Sequence, residues 1–198
     1  SKAFWHWALP LFKKTFPGHD HLTVEKLYPA LHTVRPTLIR VEADEATYNL
    51  HVAARFEIER QLFAGKVEVD ELPELWNQTY QELLGITPES DSDGVLQDIH
   101  WSMGAFGYFP SYTLGNLINS QLFETVNTEI PELEDQLSRG EFSPLLEWLR
   151  SKIHRHGSLF LSSELVKNAT GKDLTSSYFL RHIQEVTSEV YGIGAFKV

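Results

Sequence analysis

The chain of 198 residues is 42% hydrophobic, enough to bury a substantial core. Its 27 acidic and 17 basic residues give a formal charge of -10, the wrong sign for a phosphate-neutralising surface, so nucleic acid is excluded as an expected partner. With no cysteine, disulfides and thiolate metal sites are excluded, and any metal would need His, Asp or Glu.

The opening "SKAFWHWALPLFKK" lacks the charged, apolar and small-residue zones of a signal peptide, and no apolar run approaches the roughly 18 residues that read as a membrane span. A cytoplasmic setting with no membrane partner is therefore expected. The run "AFWHWALPLF" needs partners to cover it and follows a first residue that is Ser, which leaves open that the chain continues a longer one.

A helix is predicted over residues 3–14, closed by Pro17 and Gly18, and a short one over 24–32 behind a Thr23 cap. The longest is predicted over 36–64, ended by Gly65. The next covers "DELPELWNQTYQELLGI", with Pro73 in its first turn and Gly85 at its C-terminal cap. Strand-like alternation is weak and confined to "GKVEVDEL". Residues 86–99 read as a loop, and a helix resumes over 112–128. Shorter helices follow over 131–138, 143–156, 163–169 and 173–191, punctuated by Gly140, Gly157, Gly171 and Gly192. No repeat or linker interrupts the pattern, so residues 1–198 are expected to form a single all-α unit.

On a helix from Pro36, Arg40, Asp44, Tyr48, His51 and Arg55 would share one stripe, flanked by Val41, Tyr48, Val52 and Phe56 on one side and Ile39, Ala43, Ala46, Leu50 and Ala53 on the other. Charged groups between apolar stripes lie at a junction or cavity and must be paired. The planar fork of Arg40 suits an anionic ligand; a structural ion pair with Asp44 or Glu45 is the competing reading.

The stretch "GVLQDIHWSMGAFGYFPSY", residues 94–112, is dense in rings yet broken by Gly94, Gly104, Gly107 and Pro110. Such a loop must be buried and needs specific hydrogen bonds, which Gln97, Asp98, His100, Tyr108 and Tyr112 could supply. It is either a pocket lining whose His and Tyr donors stabilise a developing oxyanion, or an aromatic core loop with a satisfied histidine. The "HDH" of residues 19–21 and "HRH" of 154–156 read as surface histidines, and "DSDG" at 91–94 reads as a turn, lacking the downstream Glu of a calcium loop.

"LIRVEADEATYNLH" with "GVLQDIHWSMGAFGYFPSYTLGN" resembles the carboxypeptidase Taq family, the helical zinc carboxypeptidases related in architecture to neurolysin and angiotensin-converting enzyme. The family's Ile-Arg-x-x-Ala-Asp and Gly-x-x-Gln-Asp-x-His-Trp signatures stand intact at Ile39 to Asp44 and Gly94 to Trp101. The His-Glu-x-x-His helix and the later His-Glu segment that supply the family's metal ligands are missing, since none of the nine histidines precedes a Glu. The resemblance implies the C-terminal two-fifths of such an enzyme, the helical half of a two-lobed, cleft-containing zincin peptidase, starting shortly after the third ligand. No complete metal site is expected in it.

In the complete enzyme, zinc, or cobalt, would polarise the scissile carbonyl and hold the attacking water. By similarity, His100 and Tyr112 are assigned to hydrogen bonding the oxyanion, with Tyr108 as the competing tyrosine. Arg40 is assigned to docking the free C-terminal carboxylate of a peptide substrate, and Asp44, Gln97 and Asp98 to holding these groups in place. The full-length form is expected to be a cytoplasmic homodimer. The competing reading is a stand-alone, non-catalytic helical module that binds peptides or serves as a scaffold; an acidic partner for a basic protein rests on net charge alone.

Overall fold

The structure, a computed structural model, describes residues 1–194. Among them are nine α-helices and no strand: α1 (Lys2–Thr15), α2 (Val24–Leu31), α3 (Tyr48–Phe63), α4 (Leu72–Leu84), α5 (Pro110–Glu129), α6 (Leu133–Ser138), α7 (Ser143–Lys152), α8 (Ser162–Thr170) and α9 (Ser177–Tyr191). Single 3-10 turns lie at Arg40–Glu42, Val69–Glu71 and His154–His156. The all-α expectation is met. The alternation in "GKVEVDEL" makes no ladder, because the Glu71 carboxylate accepts from the Glu68 amide at 2.8 Å and starts a helical turn instead. Of the described residues, no helix is long and apolar enough to cross a membrane.

The helix predicted over 36–64 needs correction. Only Tyr48–Phe63 is α-helical, and Arg40 sits in the 3-10 turn before it. The cause is Asp44, whose carboxylate accepts from the amides of Arg35 (3.0 Å), Ala46 (2.9 Å) and Thr47 (3.0 Å) and from the Thr47 hydroxyl (2.8 Å). An Asp that satisfies the free amides at a helix start competes with helix upstream of it. The predicted helix over 143–156 likewise divides into α7 and the turn at His154–His156.

The chain clusters into two compact units, one of Thr33–Asn116 and one of Ser1–His32 with the described residues from Leu117 onward. In the first, α3 packs on α4. Ala54 and Ile58 are spaced by one turn, as are Leu72, Trp76, Tyr80 and Leu84, so each helix turns one stripe into a shared core. Trp76, only 1% exposed, stacks on Tyr80 with centroids 4.7 Å apart. In the second unit the core is Val126, Leu133, Leu137, Trp148 and Ala169. The opening aromatic run is partly covered there: Leu9 is buried and Trp7 meets Phe142 edge-on at 4.8 Å, while Phe4 and Leu11 stay exposed.

Candidate active site

Every candidate residue lies in the unit Thr33–Asn116. Four pieces of chain meet there: the segment through Arg40, helix α3, the loop after Gly94, and the first turn of α5. Gln97 ties the first to the third. Its Oε1 accepts from the Arg40 amide at 2.9 Å, and its Nε2 donates to the carbonyls of Leu38 (3.0 Å) and Asp93 (2.9 Å). Gly94 is buried and tight for a side chain, since a Cβ would lie 3.0 Å from Pro88 Cγ and 3.3 Å from the Ser90 carbonyl oxygen, so a neighbour would have to give way. The turn predicted for "DSDG" is present, closed by the Gly94 amide on the Asp91 carbonyl at 3.1 Å.

Asp98 is the hub. Arg40 Nη2 lies 2.7 Å from its Oδ1, and Arg55 donates Nε to Oδ2 at 2.7 Å with Nη2 at 2.6 Å. Both guanidiniums are buried, with side chains 7% and 0% exposed. Burial acts to raise the carboxyl of Asp98, but Arg40 and Arg55 together outweigh it and hold the group below its ordinary value of 3.8. Burial in turn acts to lower the Arg40 guanidinium, and Asp98 more than offsets that.

Arg40 therefore finds its carboxylate far along the chain at Asp98, while Asp44 spends its own on backbone amides. Arg40 Nη1 also donates to the Tyr48 hydroxyl at 2.9 Å, and its guanidinium lies 4.9 Å from the centre of the Tyr112 ring. Its Nε donates to Asp98 Oδ1 at 3.3 Å, so of its five N–H bonds the Nε bond, one on Nη1 and one on Nη2 are engaged.

Beyond Arg55, the spacing of α3 buries two more polar groups that the sequence reading did not assign to the site. His51, fully enclosed, pairs its Nδ1 with the Tyr80 hydroxyl at 3.0 Å. Arg55 Nη1 donates to that same oxygen at 2.9 Å, leaving the Tyr80 proton for His51. Burial, and then the charges of Arg55 and Arg40, push the imidazole down to about 4, so it stays neutral. One turn beyond Arg55, Glu59 is 4% exposed and accepts from Trp101 Nε1 at 2.6 Å and from the Gly107 amide at 3.1 Å. The spacing of four that joins His51, Arg55 and Glu59 is the signal that would have found Glu59.

His100 and Tyr112 meet: Nε2 lies 3.1 Å from the tyrosine hydroxyl. The imidazole rests against Phe109 at 4.4 Å and has Asp98 Oδ1 3.8 Å from its Nδ1. Tyr108 stacks beside the imidazole at 5.8 Å but is half exposed, and Tyr112 alone of the two tyrosines reaches the His100 nitrogen. The loop is less buried than its rings suggested. Trp101 and Phe109 turn inward, while Leu96, Ile99 and Met103 are each about 70% exposed. Successive turns, such as the Ala105 amide on the His100 carbonyl at 2.8 Å, pair the backbone instead.

Among the described residues, no three His, Asp or Glu side chains gather where they could hold a metal ion. His19, His21 and His154 are exposed, and His156 is half-buried against Phe160. The donors of the described residues do not form a set that fits a resident metal.

Residues 1–187 match the family described as carboxypeptidase Taq (M32) metallopeptidase. The chain is 42% identical over 192 residues to thermostable carboxypeptidase 1 of Thermus thermophilus, covering 97% of this chain and 38% of that protein. It is 43% identical over 185 residues to thermostable carboxypeptidase 1 of Pyrococcus furiosus, covering 93% and 37%. The M32 carboxypeptidase of Deinococcus radiodurans superposes with a TM-score of 0.94 at 41% identity over 98% of this chain and 39% of that one. The chain thus spans well under half the length of the relatives it matches. With its two signatures folded into one hydrogen-bonded cluster, the chain belongs to the carboxypeptidase Taq (M32) metallopeptidase family.

Proposed function

We propose that this chain supplies the substrate-binding and oxyanion contacts of a metal-dependent carboxypeptidase that removes C-terminal residues from peptides. The observation that carries the reading is the pairing of His100 Nε2 with the Tyr112 hydroxyl at 3.1 Å, beside a buried cationic cluster. With the His100 proton on Nε2, the imidazole donates to the tyrosine oxygen, and the phenolic hydrogen is left to donate to the oxyanion that forms at the scissile carbonyl. Gln97 and Asp98 hold the loop that carries His100 to the Arg40 segment and to α3. Asp44 acts at one remove, by shaping the turn after Arg40.

Arg40 is assigned to the substrate's terminal carboxylate, and its two N–H bonds not engaged on Asp98 or Tyr48 support this. The metal is assigned as zinc, or cobalt, on ligands outside these 198 residues. A homodimer is assigned from the family resemblance, and a cytoplasmic setting from the lack of cysteine.

The test is Tyr112→Phe in a chimera where this chain replaces the matched segment of the Thermus thermophilus relative. Turnover is expected to fall roughly 100-fold, the usual size for one oxyanion donor. Unchanged turnover in Tyr112→Phe would remove Tyr112 from the reaction, and the same loss in Tyr108→Phe would transfer the role to Tyr108.

A further inference from the structure

Glu59 is a buried carboxylate with no cation placed on it by the contacts above. Both of its oxygens are spent on one loop: Oε1 on the Trp101 indole at 2.6 Å and Oε2 on the Gly107 amide at 3.1 Å. These two anchor points bracket the outward bulge of the loop. Trp101 follows His100 directly, and Gly107 precedes the Tyr108–Phe109 pair that flanks the His100 ring. Gly107 holds a φ of +73°, so its amide reaches Glu59 from a backbone shape that side-chain-bearing residues resist.

The loop is thus fixed to α3 at Asp98 through Arg55 and, one turn on, at Trp101 and Gly107 through Glu59. His100 lies between these fixings. Its own side-chain contacts are the rings of Tyr108, Phe109 and Tyr112, the single Tyr112 hydrogen bond, and Asp98 Oδ1 3.8 Å from Nδ1, which has no hydrogen-bond partner among the described residues. A ring held this lightly takes its position from the backbone on either side of it.

We infer that Glu59 is a positioning residue: by clasping Trp101 and Gly107 it keeps the His100 loop in the register that places Nε2 on the Tyr112 hydroxyl. The catalytic consequence rests on the oxyanion reading above; the clasp itself does not. A carboxylate is required because only it offers two acceptor oxygens and no donor. Gln at this site would turn an NH2 group toward one of the two N–H donors.

The test is nuclear magnetic resonance of the 198-residue chain and its Glu59→Gln variant, with Trp101 and His100 signals assigned by Trp101→Phe and His100→Gln. The short charge-assisted bond places the Trp101 indole proton downfield of those of Trp5, Trp7 and Trp76. In Glu59→Gln that displacement is expected to be lost, Gly107 amide exchange to quicken by roughly 10-fold, and the His100 ring to shift toward the mixed tautomers of a free imidazole. Unmoved Trp101 and Gly107 signals would overturn the clasp. A moved indole with an unmoved His100 would overturn the positioning role.

If Glu59→Gln fails to fold by circular dichroism, Trp101→Phe removes one donor while keeping a ring against Trp76 and Phe109, and the His100 signals decide in the same way. These readouts do not use turnover. A clasp upheld here while Tyr112→Phe leaves the chimera fully active would therefore place the fault in the oxyanion reading alone.

Discussion

Replacing Asp98 by Asn keeps the shape of the hub and removes its charge. In the native chain, one carboxylate is shared by two guanidiniums whose side chains are 7% and 0% exposed. Removing one partner of a buried ion pair costs about 3–5 kcal/mol, because the other charge stays buried without compensation. Here two are left at once. The carboxamide can still accept from one Arg through its oxygen, but its NH2 must face the other. The expectation is therefore a loss of about 4 kcal/mol or more, which for a chain of this size lowers the unfolding midpoint by roughly 8–16 °C.

Urea unfolding followed by circular dichroism measures the loss. A second variant isolates its origin: Arg40→Met added to Asp98→Asn removes one of the stranded charges, so the double variant should be more stable than the sum of the two single losses predicts. The wild-type contribution also depends on pH. The Asp98 carboxyl is depressed in the native state, so its stabilisation is fully present above 3.8 and fades as the pH falls below that, through the native value. A loss below about 1 kcal/mol in Asp98→Asn, the range of surface pairs, would refute the picture of a buried hub.

In the chimera, Arg40→Met is expected to raise the Michaelis constant for peptides with a free C-terminus by at least about tenfold more than for amidated ones, as loss of one charged hydrogen bond implies; equal effects in a steady-state peptide assay would end the docking role. His51, with its imidazole pushed to about 4 against an ordinary 6.5, binds its proton in the unfolded chain first. Stability should therefore fall as the pH drops from 6.5 to 4, by roughly 3 kcal/mol in all. His51→Gln should flatten that part of the stability profile, and an unaltered slope would show that His51 is not its source. Trp76→Ala, which empties the stack against Tyr80 and Arg55, should cost about 3–5 kcal/mol in urea unfolding, whereas a cost under about 1 kcal/mol would mean the core repacks around it.

The parts of the fold that could be read in the sequence are those set by local chemistry. The span of α4 follows from Pro73 near its start and Gly85 at its end, and the apolar residues between them repeat every turn. The start of α3 was hidden because residues 36–47 carry a helical apolar rhythm by coincidence. What breaks the helix is the Asp44 side chain on nearby amides, a competition that periodicity does not register.

At the site, Gln97, Asp98 and His100 were legible because they crowd into one signature. Arg55 and Glu59 were not assigned to the site, since their partners lie 43 and 42 residues away and only the folded chain brings them together. Arg40 shows both sides of this. Its need for a carboxylate was evident from its apolar surroundings, but the identity of that carboxylate was settled by the loop docking on α3.

The central claim is that these residues serve a carboxypeptidase whose metal is held elsewhere. The most direct test is mass spectrometry of peptide digestion, with added zinc and matched peptides bearing free or amidated C-termini. The 198-residue chain is compared with the folded chimera. The account predicts no release by the chain alone, and release of single C-terminal residues by the chimera from the free-ended peptide only. Release by the chain alone, with contaminants excluded, or a folded chimera that releases nothing, would contradict it.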